Sequence, residues 1–558
     1  MTIDRTKLRW NGWGWAAHED EVGAREAVWT WLAAELGMPA LLATPPQPLA
    51  ENALPLTRLS NEVWRELADI VGADRVHDGA YERAFHARGR SYHDLLRLRA
   101  GDFTAIPDAV VYPRATEEVL RLLKLAEARG VAIVPYGGGT SVVGGVTAEK
   151  GAHASVITLD LSGMNRLIDV DMTAHTATAE AGIYGPALEK ALEAKGATLG
   201  HHPQSFEFST LGGWIAHRGA GQGSSGYGRA EDWLVSVKLA TPRGLLCTRD
   251  TPSSSAGPQL KDIVLGSEGA FGIVTEATVR LRPLPREHDY RGYLFRDFES
   301  GTKAIRRAVQ QGVPATMLRL SDAEETRFFR AYGSAGKRPG LSSRAAEMYL
   351  NARSFDGSKA SALIAGFEGD PGMVASGRRA FDWIAKSHGA LALGTGQGKR
   401  WREGRFHGPY LRDPMMDRGL GVDTLETAAS WSRLDALYQA VSTTLAESMR
   451  ETAPRPGAHG IVLCHISHSY PDGASLYFTY IFPRALGSEV AQWSRIKNAA
   501  TDAIVKNGGT ISHHHGVGED HLPWMKDEKG ELGLDVLRAI KTTLDPKGVL
   551  NPGKLIPG

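Results

Sequence analysis

Two cysteines in 558 residues, Cys247 and Cys464, are too few and too far apart for a disulfide framework or a cysteine zinc site. They point to a reducing compartment. Charge of one sign is also missing: the formal net charge is +1, so nothing global draws the chain to nucleic acid. No apolar run is long enough to cross a bilayer, and the most apolar early stretch, 28–43, is interrupted by Glu35 and Pro39. Neither a secretory leader pattern nor a peroxisomal tripeptide is found, the chain closing on Leu555-Ile556-Pro557-Gly558. The expectation is a cytoplasmic protein. With 42% hydrophobic and 23% charged residues the composition is ordinary for a globular chain, and its length calls for two or three lobes.

What the chain has in plenty is glycine, 64 residues, much of it clustered. A short strand at 109–112 is followed by a helix with Thr116 as its cap and Glu117 and Glu118 in its first turn. Val119, Leu122, Leu123 and Ala126 give that helix an apolar stripe, and Gly130 ends it. The next strand, 131–134, delivers Pro135-Tyr136-Gly137-Gly138-Gly139-Thr140-Ser141-Val142. Three glycines allow close backbone approach, and their N–H groups, with the two hydroxyls, can converge on a pyrophosphate. On its own the loop reads equally as a tight turn, since it fits neither the G-x-G-x-x-G nor the Walker pattern.

Strands at 155–161 and 174–181 and a helix at 186–195 follow. Then come two further loop clusters, 202–214 leading into 219–228, and 266–277. A strand ending at Arg282-Pro283-Leu284-Pro285 marks a domain boundary. Beyond it, strands at 290–295, 315–320, 361–368 and 475–482 alternate with amphipathic helices, as in one sheet backed by helices. The first hundred residues read as helical, with the tryptophans of 10–15 as an anchor.

Taken in order, several segments resemble the alkyldihydroxyacetonephosphate synthase family, within the vanillyl-alcohol-oxidase-type flavoproteins. They are W-N-G-W-G (10–14), G-G-G-T-S-V (137–142), E-F-S-T-L-G-G-W (207–214), the 267–276 loop, Tyr410-Leu411-Arg412-Asp413, S-H-H-H-G-V-G (512–518) and the closing D-P-K-G-V-L-N-P-G-K (545–554). The resemblance covers nearly the whole chain. It implies an α+β fold: a helical N-terminal region (1–104), a two-subdomain FAD-binding domain of the PCMH type (105–285), an α/β cap domain (286–500) and a C-terminal return to the FAD domain (501–558). It implies FAD contacts at Pro135, Tyr136, Gly137, Gly138, Gly139, Thr140, Ser141 and Val142, and at Pro203, Gln204, Ser205 and Ser209. Further contacts fall at Ala216, His217, Arg218 and Gly219, and at Glu268, Gly269, Ala270, Gly272, Ile273 and Val274. Thr140 stands where covalently flavinylated relatives often carry histidine, and no cysteine is near, so noncovalent FAD is implied.

The implied reaction exchanges the acyl group of acyl-dihydroxyacetone phosphate for a fatty alcohol. The substrate carbon beside the acyl oxygen loses a proton and bonds flavin N5, the fatty acid leaves and the alcohol adds, with no net redox change. A homodimer and peripheral contact with a membrane, through an element within 341–418, belong to the same expectation.

His513-His514-His515 is a surface run on the simplest structural reading. Adjacent residues rarely point the same way, so no metal is expected at the triplet. The flanking glycines and the resemblance make it a loop supplying a general base. Tyr477, on an alternating strand, is by residue type a packed core tyrosine; the resemblance makes it an acid–base residue, with Tyr480 on the opposite face for comparison. Arg412 reads as a helix arginine paired with Asp413, or by resemblance as a substrate-binding residue whose guanidinium fork suits a phosphate. Arg319, a charge flanked by apolar residues on a strand, is placed near the site and given a catalytic role by the resemblance. Glu268 is either a ligand-loop residue or a turn acid. Cys464-His465-Ile466-Ser467-His468-Ser469-Tyr470 departs from the synthases. The alternative is an FAD-dependent 2-hydroxy-acid dehydrogenase or oxidase, whose E-H-G-I-G and H-x-G-D-G-N-x-H patterns have lost their acid and paired histidines here.

Overall fold

Gly130 closes helix Thr116–Arg129 in the left-handed conformation (φ 63°), which turns the chain directly into strand Val131–Tyr136. The computed structural model in which this is seen describes residues 3–18, 25–335, 348, 350, 352, 353 and 355–558. The N-cap of this helix is Ala115 and not Thr116. Its first turn is held instead by Glu118, which accepts the Arg114 N–H (2.7 Å) and both guanidinium arms of Arg75. Val131–Tyr136 lies parallel to Ser155–Asp160, which lies parallel to Ala109–Val111; Val76–His77 adds an antiparallel edge. This four-stranded sheet is the first half of the first domain.

The second half is a five-stranded antiparallel sheet in the order Leu167–Asp171, Thr176–Glu180, Ile273–Arg280, Leu234–Thr241, Gly244–Cys247. The two halves share one apolar core, into which Leu67 and Val71 of helix Asn61–Val71 also pack. The C-terminal tail returns to the first half: Ile133 donates to the Val549 carbonyl and Asn551 donates back to Ile133, each at 2.8 Å.

The cap is a seven-stranded antiparallel sheet, ordered Leu391–Gly394, Glu287–Phe295, Ser361–Gly369, Met317–Ser321, Ile461–Ser469, Gly473–Pro483, Leu420–Ser430. Helix Tyr92–Arg99 packs into its core, so the N-terminal region is divided between the two domains. Of the 341–418 region assigned to membrane contact, 341–347, 349, 351 and 354 lie outside the described residues.

Candidate active site

The glycine cradle follows strand Val131–Tyr136. Among the described residues, no partner for the backbone N–H groups of Gly138, Gly139, Thr140, Ser141 or Val142 is found. A side chain on Gly137 would strike Thr210 Oγ1, and one on Gly138 would strike the Phe208 carbonyl. The glycines thus let the 207–214 loop close against the cradle. Around this junction Thr210 Oγ1, His217 Nδ1, Ser267 Oγ and His201 Nε2 are buried without a hydrogen-bond partner. A row of free N–H donors beside orphaned polar atoms fits a cofactor with a pyrophosphate and a polar rim. Gly138→Ala is expected to lower FAD affinity at least about tenfold, since the cradle must open to relieve the collision. Full flavin occupancy of that variant after gel filtration would refute this.

The N-terminal arm is laid across the cradle. Arg5 donates to the Gly137 carbonyl (2.7 Å) and to Tyr184 Oη (2.9 Å) and is ion-paired with Asp160. Asp413 accepts the Trp13 N–H (2.9 Å) and Arg9 (3.0 Å), joining the arm to the cap.

Facing the cradle is one side of the cap sheet. Cross-strand register sets Glu426, Tyr477 and His465 directly opposite one another on three adjacent strands, so their side chains share a face. The His513–His515 loop lies on that face. Glu426 is buried and accepts the backbone N–H groups of His513 (2.7 Å), His514 (3.0 Å) and His515 (2.9 Å) and the hydroxyl of Ser512 (2.8 Å). Burial alone would raise its carboxyl, but the facing imidazoles and the backbone donors hold it well below the usual range. Glu268 (φ 50°) clasps the other end of the loop, accepting from Val517 and, at 2.7 Å, Gly518. Asn551 Nδ2 bridges the carbonyls of Gly145 (3.0 Å) and Glu268 (2.6 Å). Tyr477 stacks on His465 at 5.0 Å and meets His515 edge-on at 5.5 Å. Burial lowers all three loop histidines, His514 to about 3 and His515 to about 4, so neutral imidazoles face a phenol whose own value burial raises. The arrangement offers proton acceptors and a proton donor around one point.

Residues 107–249 match the family model for the FAD binding domain, and 284–555 that for FAD linked oxidases, C-terminal domain. The chain is 36% identical to alkyldihydroxyacetonephosphate synthase of Dictyostelium discoideum, over 99% of this chain and 94% of that one. The chain belongs to the alkyldihydroxyacetonephosphate synthase family. Its counterpart in Trypanosoma brucei brucei is 35% identical, over 88% of this chain and 80% of that one. A solved alkyldihydroxyacetonephosphate synthase structure superposes with a TM-score of 0.84 at 33% identity, covering 99% of this chain and all of that one. A 4-ethylphenol oxidase from Gulosibacter chungangensis, at 16% identity and a TM-score of 0.66, covering 90% of this chain and 98% of that one, shares the fold alone.

Within this synthase-family frame, several expected contacts turn out to have structural duties. The Glu268 carboxylate belongs to the histidine loop and is a turn acid in that sense. Gly272 is required by Leu239, against which a side chain would collide, and Ala270 lies in an apolar cluster with Phe271 and Ile511. Ile273 and Val274 face the FAD-domain core. Gln204 is exposed and donates to the Arg405 carbonyl (2.7 Å), and the Arg218 side chain pairs with Glu231 (3.3 Å). Arg319 donates to Glu325 (3.0 Å) and toward His465 Nδ1 (3.1 Å), so it meets Tyr477 through the His465 stack. Asp413 is taken by Arg9 and Trp13, which leaves Arg412 without that partner; it donates to the Arg90 carbonyl (2.5 Å), and its charge bears on Tyr477 and His515. Tyr480 points into the core, where its hydroxyl donates to Asp423 (2.8 Å).

Glu426, His465, His468, Tyr470 and Arg229 escaped the sequence reading. The histidines of 464–470 stood out there only as a departure. Tyr470 Oη lies 2.7 Å from His513 Nε2, and Arg229 donates to the His513 carbonyl (2.6 Å).

Histidines outside the 513–515 loop set the response to acid. Burial, then the neighbouring Arg5, holds His86 well below 6.5; burial brings His201 to about 3 and His202 to about 4. The unfolded chain takes up protons near 6.5 that the folded chain refuses, so stability falls as pH drops below 6.5, by about 1.4 kcal/mol per pH unit per histidine. His93 has the opposite sign: burial disfavours its charge, but Asp520 at 2.9 Å raises it to about 9. Its contribution is full below 6.5 and is lost as pH rises through 9. Urea midpoints should therefore fall from pH 7 to 5; a flat profile would contradict the assignment.

Proposed function

We propose that this chain makes ether lipids, exchanging the acyl group of acyl-dihydroxyacetone phosphate for a long-chain fatty alcohol without net redox change. The observation that carries the reading is the meeting of Tyr477, a neutral histidine loop and Arg412 on the cap face opposite the cradle, in a chain of this synthase family. FAD would be held noncovalently by the cradle and the loops at 203–219 and 266–274, and would supply an electrophilic ring nitrogen, N5, to the substrate carbon. A neutral imidazole of the 513–515 loop takes the proton from the carbon beside the acyl oxygen. Tyr477, kept protonated by burial, donates to the departing carboxylate and recovers a proton from the incoming alcohol. Arg412 holds the phosphate. Arg412→Ala is expected to raise substrate KM at least about tenfold with flavin retained; an unchanged KM would remove it from the site.

The same reading includes a cytoplasmic homodimer that touches a membrane surface to collect its long-chain substrates. The membrane part is supported by exposed Met373 and Trp383 on helix Pro371–Ser387.

The test is flavin absorbance under anaerobic conditions with palmitoyl-dihydroxyacetone phosphate. Bleaching reversed by fatty alcohol alone is the expected result. Bleaching only by a 2-hydroxy acid, recovered only with an electron acceptor, would replace this reading with a dehydrogenase.

A further inference from the structure

Three imidazoles converge beside Tyr477, and only two of them belong to the triplet. One nitrogen from each of His468, His513 and His514 lies within 4.8 Å of the other two, and His515 stands outside the group. The third corner comes from strand Ile461–Ser469, so convergence does not require three adjacent residues to point one way.

The hydrogen bonds around the group orient its lone pairs. His468 Nε2 lies 2.9 Å from the Gly221 carbonyl, which only accepts, so Nε2 carries the proton and Nδ1 the lone pair. The Ser467 hydroxyl now touches that Nδ1 (3.0 Å) and has a second acceptor ready in Ser475 Oγ at 2.7 Å. His513 and His514 face each other Nδ1 to Nδ1 at 3.0 Å, and His513 Nε2 has Tyr470 Oη at 2.7 Å on its far side. Outer partners of this kind fix the tautomer and ring direction of metal-binding histidines. Charge is provided as well. Glu426 Oε2 lies 3.5 Å from His514 Nδ1, and among the described residues no lysine or arginine is paired with that carboxylate. Arg229 opposes a cation near His513 Nε2 (3.3 Å), but Glu231 at 3.5 Å partly offsets it.

We propose that His468, His513 and His514 form a site for one divalent zinc-class ion, and that an ion there withdraws the lone pairs of His513 and His514 from proton transfer. Imidazole suits such ions, with metal–nitrogen distances of about 2.0–2.1 Å, so side-chain shifts of about an ångström or less close the site. Three nitrogen–metal bonds form, and the Ser467 and His513–His514 hydrogen bonds break. The proton between the two Nδ1 atoms moves to Nε2 of its own ring, and the Glu426 carboxylate offsets part of the ion's charge. Binding stands on this geometry alone; the inhibition it predicts rests on the proposed ether-lipid chemistry.

The experiment titrates full-length, FAD-loaded, chelator-stripped protein with Co²⁺. One ion per chain with four-coordinate visible absorption is expected, displaced by equimolar Zn²⁺. His468→Gln should weaken binding at least about a hundredfold. No stoichiometric binding, or equal binding by His468→Gln, would overturn the site. If that variant does not fold, X-ray absorption on the Zn²⁺-loaded wild type decides: three imidazoles support the site and fewer overturn it. Zn²⁺ should also slow alkyl transfer with the flavin spectrum unchanged. Stoichiometric binding to a protein that shows no alkyl transfer would overturn the functional reading and leave the site standing.

Discussion

Replacing Glu426 with alanine is expected to lower stability by about 3–6 kcal/mol and turnover by about a hundredfold or more. The carboxylate accepts four donors, three of them consecutive backbone N–H groups of His513, His514 and His515. Each buried donor left without an acceptor costs about 1–3 kcal/mol, discounted where water enters the vacated space. The loss is not local, because the loop's other clasp, Glu268, holds only Val517 and Gly518. An unlatched loop moves its imidazoles by the ångström that proton transfer does not tolerate. Glu426→Gln keeps one carbonyl oxygen but turns an amide toward backbone donors, so it should fall between wild type and alanine. Urea denaturation and single-turnover kinetics check both. An alanine variant with an unchanged midpoint and a rate within about threefold of wild type would show that the loop holds itself.

The second large effect separates two tyrosines three residues apart. Tyr477→Phe should cut kcat by about 10²–10⁴ while the bound-flavin spectrum and the unfolding midpoint stay near wild type. Burial raises the phenol above its ordinary value and so keeps it a proton donor at neutral pH. Tyr480→Phe should do the reverse. Its hydroxyl shares Asp423 with Trp493 Nε1 (2.7 Å), inside the cap core, so its loss costs about 1–2 kcal/mol of stability and leaves turnover intact. The opposite pattern would place the wrong face of the strand toward the cradle.

These two effects also mark how far the sequence could be read. The parallel unit around 109–136 was legible because a helical stripe, a glycine stop and an apolar strand agree over one stretch. The cap strands Leu420–Ser430 and Ile461–Ser469 were not, although Ser361–Gly369 and Gly473–Pro483 in the same sheet were. The missed pair carry Asp423, Glu426, His465 and His468 at buried or half-buried positions, where an apolar residue would have completed the pattern. Glu426, His465 and His468 build the site while Asp423 holds the core, so the strands that matter most for function are the ones that break the period.

By itself the sequence determined the order of the parts: a glycine cradle on a parallel strand, two more glycine loops, a second sheet, a histidine loop and a tail bound for the first domain. Each is a local pattern, set by residues close along the chain. Tertiary structure decided which carboxylates belong to which loop, why Asp413 holds Arg9 and not Arg412, and that His468 joins two residues forty-five and forty-six positions later. Those pairings depend on strand register and on a return of the chain across hundreds of residues, and neither leaves a periodicity to read.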